Sequence, residues 1–224
     1  MTNSLKTPGQ SSKSAQWTEK LRYFGFSLLH PFEGFYDIRF RGKGSMLLAL
    51  ISLFIYGVVK CCSYQYTGFI MNLNDPYEMN SVSVFLSSTL IVVLFAVSNW
   101  TVTTLFGGKG NMASIFTVLC YSLAPLSAIN LLVIFLSNYI ILDEAMIVNM
   151  LSGIGIVWFV FLVISGFCVI HEYGLFRNLA SLVITFVAAF LIVFIMVLFL
   201  TLEEKMFGFF GDVIREFIRR TTLN

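Results

Sequence analysis

Few side chains in the apolar part of this sequence can ionise, and their spacing limits the chemistry available to them. His171 is followed by Glu172, but residues 173–175 supply no second histidine for the H-E-x-x-H pattern of zinc proteases. The G-x-S-x-G turn of serine hydrolases does not occur either. We therefore expect no catalytic residue, no metal site and no cofactor, and predict that the protein is not an enzyme.

The four cysteines do not form a metal-binding or disulfide pattern. Cys61, Cys62, Cys120 and Cys168 lie within or at the edges of apolar stretches, without C-x-x-C spacing. Such thiols behave as small apolar residues. They are expected to stay free.

Three further residues could line a polar pathway within the apolar stretches. Pro125 removes one helical hydrogen bond and releases the carbonyl of Tyr121, which predicts a kink there. Asn99 and Asn130 could face the released carbonyls, with Asn130 directed towards neighbouring helices. This patch gives the alternative function, a small-solute permeation protein.

A second polar group closes the fourth apolar stretch. His171 and Glu172 end it, and Arg177 follows closely enough in sequence to pair with Glu172. Ionisable groups at such a depth are expensive unless they are paired or reach the interface. We interpret the three residues as a structural cluster near the membrane surface.

Five long apolar stretches must position these groups. They run over 46–64, 82–105, 113–140, 147–170 and 179–202. About 20 apolar residues suffice for a helix to span a bilayer, and a mean hydropathy of +0.86 agrees with that reading. The predicted fold is all-α, a polytopic membrane protein with five transmembrane helices in a membrane domain at 46–202.

The distribution of charge predicts the orientation. Seven Lys and Arg residues precede the first span, whereas the charged residues of the loop at 65–81 are both acidic, Asp75 and Glu78. The second loop carries the basic residue Lys109, and the charged residues of the third loop are all acidic. We expect a multi-pass protein of the cell membrane. The positive-inside rule places its N-terminus in the cytoplasm, and five spans then place its C-terminus on the extracytoplasmic side. The basic residues near the C-terminus oppose this assignment, but the first span usually dominates.

Amphipathic segments are expected to flank the membrane domain. Residues 1–13 read as a disordered cytoplasmic tail, and 14–45 as a cytoplasmic amphipathic helix that ends at His30 and leads into an interfacial elbow. Residues 203–224 read as an extracytoplasmic amphipathic helix. The candidate partner-binding residues on these segments and on the second loop are His30, Glu33, Asp37, Arg39, Lys109, Phe210 and Phe217.

The order of several short motifs resembles the Yip1 family, and in particular its bacterial branch. The motifs are the five spans, Gly107-Gly-Lys-Gly110, the 114–125 stretch that ends at Pro125, Asn99-Trp100, and the His30-Pro-x-x-Gly-Phe-Tyr-x-Ile-Arg39 segment. The resemblance covers about 31–202. The Asp-Leu-Tyr-Gly-Pro stretch of the eukaryotic members is missing, so their roles in Rab binding and vesicle traffic are not carried over.

The resemblance implies a non-enzymatic integral membrane scaffold or accessory protein that acts by protein–protein interaction. Its partners would be the lipid bilayer and other integral membrane proteins, with the subunits of a transporter complex as one candidate. No nucleic-acid partner is expected.

Overall fold

The computed structural model describes residues 13–72 and 79–222, and in this part of the chain the regular structure is helical. Its elements are α1 (Lys13–Leu29), α2 (Pro31–Phe40), α3 (Met46–Tyr66), α4 (Ser81–Leu105), α5 (Met112–Ser137), a short 3-10 helix (Leu142–Glu144), α6 (Ala145–His171) and α7 (Leu175–Thr222). The predicted tail lies outside the described residues except for Lys13, as do Asp75 and Glu78.

Helices α3 to α7 confirm the predicted multi-pass architecture. Each is long and apolar enough to cross a bilayer. Successive helices run in opposite directions. At one end of the bundle, Ser45 before α3 bonds Tyr121 of α5. At the other, the Asn138 amide nitrogen after α5 lies 2.9 Å from the Tyr66 carbonyl of α3. We call the end that carries α1 and α2 the hairpin end.

Helix α5 forms the centre of the bundle. Residues 115–123 are buried without interruption, so neighbours surround this part of the helix on all sides. It packs against α3, α4 and α6. The helix continues through Pro125 to Ser137, so the proline does not divide it.

The predicted interfacial elbow is a helix instead. Pro31 occupies the first helical turn of α2, where its missing N–H costs nothing, so the residue that ends α1 also begins α2. Phe35 and Ile38 of α2 are buried at 0% and 6% exposure, and α2 packs mainly against α6. The hairpin of α1 and α2 is therefore part of the hydrophobic core.

The C-terminal segment also differs from the prediction of a separate helix after residue 202. Helix α7 is continuous over 48 residues. The junction Leu202-Glu203-Glu204-Lys205 contains good helix formers and neither proline nor a capping residue, so nothing ends the helix there. Only its first turns are packed: Asn178, Ser181, Leu182 and Thr185 are buried, and no residue described after Thr185 is.

Candidate functional site

Polar side chains converge at the hairpin end, beginning with the turn between α2 and α3. Asp37 accepts a hydrogen bond from Lys43 at 2.8 Å and pairs with Arg41 at 3.1 Å. Its backbone carbonyl also accepts from the amides of both residues. The hydrogen bond from Lys43, reinforced by Arg41, holds the pKa of Asp37 below its ordinary value. This carboxylate fixes how the hairpin joins the first span.

Glu172 joins three elements at the same end. It is the residue that ends α6, in a left-handed conformation with φ 56°. Its carboxylate pairs with Lys109 of the α4–α5 loop and, at 3.9 Å, with Arg39 of α2. Arg177 does not contribute, contrary to the sequence prediction.

Arg177 instead completes the C-terminus of α4. Its guanidinium donates to the carbonyl of Phe106 and lies 4.4 Å from the centre of the Tyr173 ring. The Tyr173 hydroxyl donates to the same carbonyl at 3.2 Å. The last carbonyls of a helix have no partner within the helix, so a cation such as the Arg177 guanidinium is favourable there.

A buried chain of hydrogen bonds connects α6, α4 and α7 beneath this surface. The Asn99 amide nitrogen donates to Thr185 at 3.1 Å, so its oxygen accepts from His171 Nε2, also at 3.1 Å. All three side chains are at most 2% exposed. Because Nε2 carries the proton in this arrangement, Nδ1 is the free acceptor, and it has no partner among the described residues. The chain of bonds therefore joins α4, α6 and α7.

These contacts do not join the residues of the predicted permeation patch. Asn99 bonds α6 and α7 and not the carbonyls of α5 that Pro125 releases. Asn130, in the second half of α5, is half-buried. The structure gives the patch no shared hydrogen bond among the described residues, and the kink at Pro125 stays a prediction.

The predicted partner-binding residues are in two different situations. Asp37, Arg39 and Lys109 are held in the ion pairs given above. His30 is exposed and stacks on Phe26 with ring centres 4.7 Å apart. Among the described residues, Glu33 has no ion pair and faces an open groove.

That groove lies between α1 and α2 and has a volume of about 820 Å³. Tyr23 closes its base by donating to the carbonyl of Gly34. Burial, and then the negative charge of Asp37, raises the pKa of Tyr23, so the hydroxyl remains a donor. We call this cavity the hairpin groove. Nothing in the sequence pattern indicated it, because it depends on how closely the two helices pack.

On α7, Phe210 is 54% exposed, and the side chain of Phe217 lies outside the described residues. No group of His, Cys, Asp and Glu in the described part of the chain is arranged to hold a metal ion. The four cysteines are free thiols in this structure.

Sequence reasoning identified Asn99 and His171 but missed their partner Thr185. It also missed Lys43 and the bond between Ser45 and Tyr121. A signal for Thr185 was present, because Asn178, Ser181 and Thr185 follow one another at helical spacing on an otherwise apolar helix. That pattern marks the polar stripe with which α7 packs against its neighbours: Thr185 accepts from Asn99 of α4, and Asn178 donates to the Ile164 carbonyl of α6.

Comparison with known protein families finds a match over most of the chain. The family model of the Yip1 domain matches residues 26–198, from α1 into α7. The match includes the hairpin groove in large part, the Asp37 and Glu172 ion pairs and the Asn99 chain. No curated protein and no solved structure matches the chain.

Proposed function

Because the chain belongs to the Yip1 domain family, whose members are generally membrane-associated and non-catalytic, we propose that it is an integral membrane scaffold that binds other membrane proteins. Transporter subunits are among the partners that this role includes. We also propose a cell-membrane location with the hairpin end in the cytoplasm. The placement in the bacterial branch of the family stays a prediction.

The observation that carries this proposal is the exposed length of α7. Its last 37 residues, 186–222, include no described residue that is buried. At 1.5 Å per residue they extend about 55 Å, beyond the roughly 30 Å of hydrocarbon in a bilayer. Lipid can cover the apolar part of the helix near Phe190, but the segment from Glu203 onwards continues past it.

That distal segment of α7, residues 203–222, is itself apolar on one face. Met206, Phe210, Val213 and Ile214 are all about half exposed. Contiguous apolar surface of this kind normally marks a contact with a protein or a membrane. The charged residues opposite form exposed pairs, such as Arg215 with Asp212 at 3.9 Å, and exposed pairs of this kind contribute little. A protein partner seated on the apolar face is the role we assign to it.

The first prediction tests that role by substitution. Phe210→Glu with Ile214→Glu places two carboxylates on the apolar face of the distal segment and should release the partner. The five spans should stay folded, because both residues are more than half exposed and neither belongs to the hydrophobic core. The measurement is the amount of stoichiometric partner that co-purifies with the tagged protein in mild detergent.

Lys205→Glu with Arg215→Glu is the matched control, since it makes the opposite, polar face of the same segment more acidic. The control should retain the partner. Equal retention by both double variants would remove the distal segment from the docking surface. If no stoichiometric partner is present with the unsubstituted protein, the scaffold proposal itself fails.

A further inference from the structure

We propose that the hairpin groove binds the headgroup of a zwitterionic phospholipid, with an ammonium group and a phosphate held at separate positions. The groove is a physical cavity with charges of both signs and an aromatic lining. It lies at the depth where the chain enters the membrane. This site is independent of the protein partner proposed for α7.

The depth of the groove follows from its lining. Lys43 lines it and lies only three residues before α3 begins at Met46. Val169, two residues before the end of the membrane-spanning helix α6, closes the other side. The groove therefore faces the boundary between hydrocarbon and water, where phospholipid headgroups lie. A lipid need not leave the bilayer to reach it.

The charges of the groove balance. Its acidic residues are Glu19, Glu33 and Asp37, and its basic residues are Arg22, Arg41 and Lys43. Asp37 is engaged by two of the bases, whereas Glu19, Glu33 and Arg22 have no ion pair within the described part of the chain. The two unpaired carboxylates would repel an anionic headgroup, and the basic residues would repel a cationic one. A headgroup that carries one charge of each sign matches both.

The aromatic residues favour an ammonium at one of those positions. Tyr23, Phe26, Phe32 and Tyr36 line the groove, and aromatic faces attract cations. The structure already shows this arrangement once. The ammonium of Lys43 lies 5.3 Å from the centre of the Tyr23 ring while it donates to Asp37 at 2.8 Å. Glu33 and the neighbouring Phe32 on α2 form a second pair of a carboxylate and an aromatic ring in the groove lining. Among the described residues, no lysine occupies this pair, so it can accept the ammonium of a headgroup.

The phosphate position is at the other end of the groove. Arg41 and Lys43 follow the last turn of α2, whereas Glu33 is in its first turn. Two bases share the single charge of Asp37, so one positive charge remains uncompensated there, with Arg22 of α1 also lining the groove. Arginine binds phosphate oxygens through paired N–H groups. The ammonium and phosphate positions are thus separated along α2.

The test measures retention of phospholipid by the full chain in mild detergent, by native mass spectrometry at increasing concentrations of phosphatidylethanolamine or phosphatidylglycerol. We expect at least tenfold tighter retention of phosphatidylethanolamine. Arg22→Glu should reduce it at least tenfold, whereas Lys20→Glu, a matched change on α1 outside the groove, should not. Equal retention of the two lipids, or equal effects of the two substitutions, would overturn the proposal.

A second substitution distinguishes a headgroup site from loss of structure. Glu33→Lys makes the groove more positive by two charges and should reverse the preference in favour of phosphatidylglycerol, a gain that a misfolded protein cannot show. Inorganic phosphate is the probe for a simple anion site. If phosphate displaces phosphatidylethanolamine at the same concentration as phosphoethanolamine, or if Glu33→Lys leaves the preference unchanged, the zwitterionic site is refuted.

Discussion

Asp37 gives the hairpin end a defined dependence on pH. Its pKa is lowered in the folded protein, chiefly by the hydrogen bond from Lys43, so the pairing stabilises the fold wherever the carboxylate is ionised. That contribution is complete above the unfolded pKa of about 3.9 and is lost as the pH falls through the lower folded value. Asp37→Asn should therefore lower the melting temperature by a constant amount from pH 7 to about pH 4, and by less below it.

Melting curves of the detergent-solubilised protein at a series of pH values measure this difference. Asp143→Asn is the control, since Asp143 is exposed on the 3-10 helix and should show no such pattern. A difference between Asp37→Asn and the unsubstituted protein that persists undiminished at pH 3 would show that the pairing is not what the carboxylate contributes.

Gly110 is required by the close packing of the α4–α5 loop on His171. A β-carbon at this position would lie 2.8 Å from His171 Nδ1 and 2.6 Å from a methyl group of Ile170. Both neighbours are buried, so they cannot easily give way. Gly110→Ala should cost about 1–3 kcal/mol of stability, the usual range for overpacking.

Thermal unfolding in mild detergent gives the comparison. In the control, Gly153→Ala, the new methyl group meets nothing within 4 Å inside α6, and the change should be neutral or stabilising. Equal melting temperatures for Gly110→Ala and Gly153→Ala would mean that the loop does not rest on His171 as described.

At this scale the sequence identified the polar residues better than their contacts. His171, Glu172 and Asn99 stood out because polar groups in apolar stretches are rare. Their partners could not be predicted, since His171 and Asn99 are 72 residues apart and meet only through the helix topology. Arg177 illustrates the error. Its proximity in sequence predicted a pair with Glu172, but in the folded chain it donates to the Phe106 carbonyl at the C-terminus of α4.

Among the elements, the α1–α2 hairpin depends on one close approach. A β-carbon at Gly34 would lie 2.5 Å from the α-carbon of Ser27, a backbone atom in α1 that cannot move alone. Gly34→Ala should therefore push α1 away from α2, break the Tyr23 contact and open the hairpin groove. We expect faster hydrogen exchange at the amides of α1.

Hydrogen exchange followed by mass spectrometry of α1 peptides measures this opening. Gly25→Ala is the matched control on α1, because its new methyl group meets nothing within 4 Å. It should leave exchange unchanged or slower. Unaltered protection of α1 in Gly34→Ala would show that the two helices tolerate a wider separation.

Hydropathy predicted the five spans because it is a local property that each segment carries by itself. The ends of helices were harder. Pro31 was correctly read as the end of α1, but it also begins α2. The sequence becomes amphipathic after Leu202, and this change predicted that one helix ends and another begins there. A change from an apolar to an amphipathic pattern does not end a helix unless a capping or breaking residue is present.

For the whole molecule, the length of α7 and the distribution of charge bear on the same question. An odd number of spans places the two termini on opposite sides of the membrane. The 48 residues of α7 extend about 72 Å at 1.5 Å per residue, so one crossing leaves its distal segment well outside the hydrocarbon. The orientation therefore decides which compartment the distal segment and the hairpin groove face.

Cysteine labelling of intact cells measures that orientation. In a variant without the four native cysteines, single cysteines are placed at Phe69, Lys109 and Arg215, whose side chains are exposed. Seven basic residues ahead of the first span predict a cytoplasmic N-terminus. A membrane-impermeant maleimide should then label positions 69 and 215 from outside, and position 109 only after the cells are permeabilised.

Phe69 and Arg215 report independently, because one follows α3 and the other lies near the end of α7. Labelling of position 109 alone would reverse the orientation. The hairpin groove would then face the outer leaflet and the distal segment the cytoplasm. Labelling of 69 without 215 would mean that α7 does not cross once. In that case its exposed apolar length would lie along the membrane, and lipid rather than a protein would cover the face that contains Phe210.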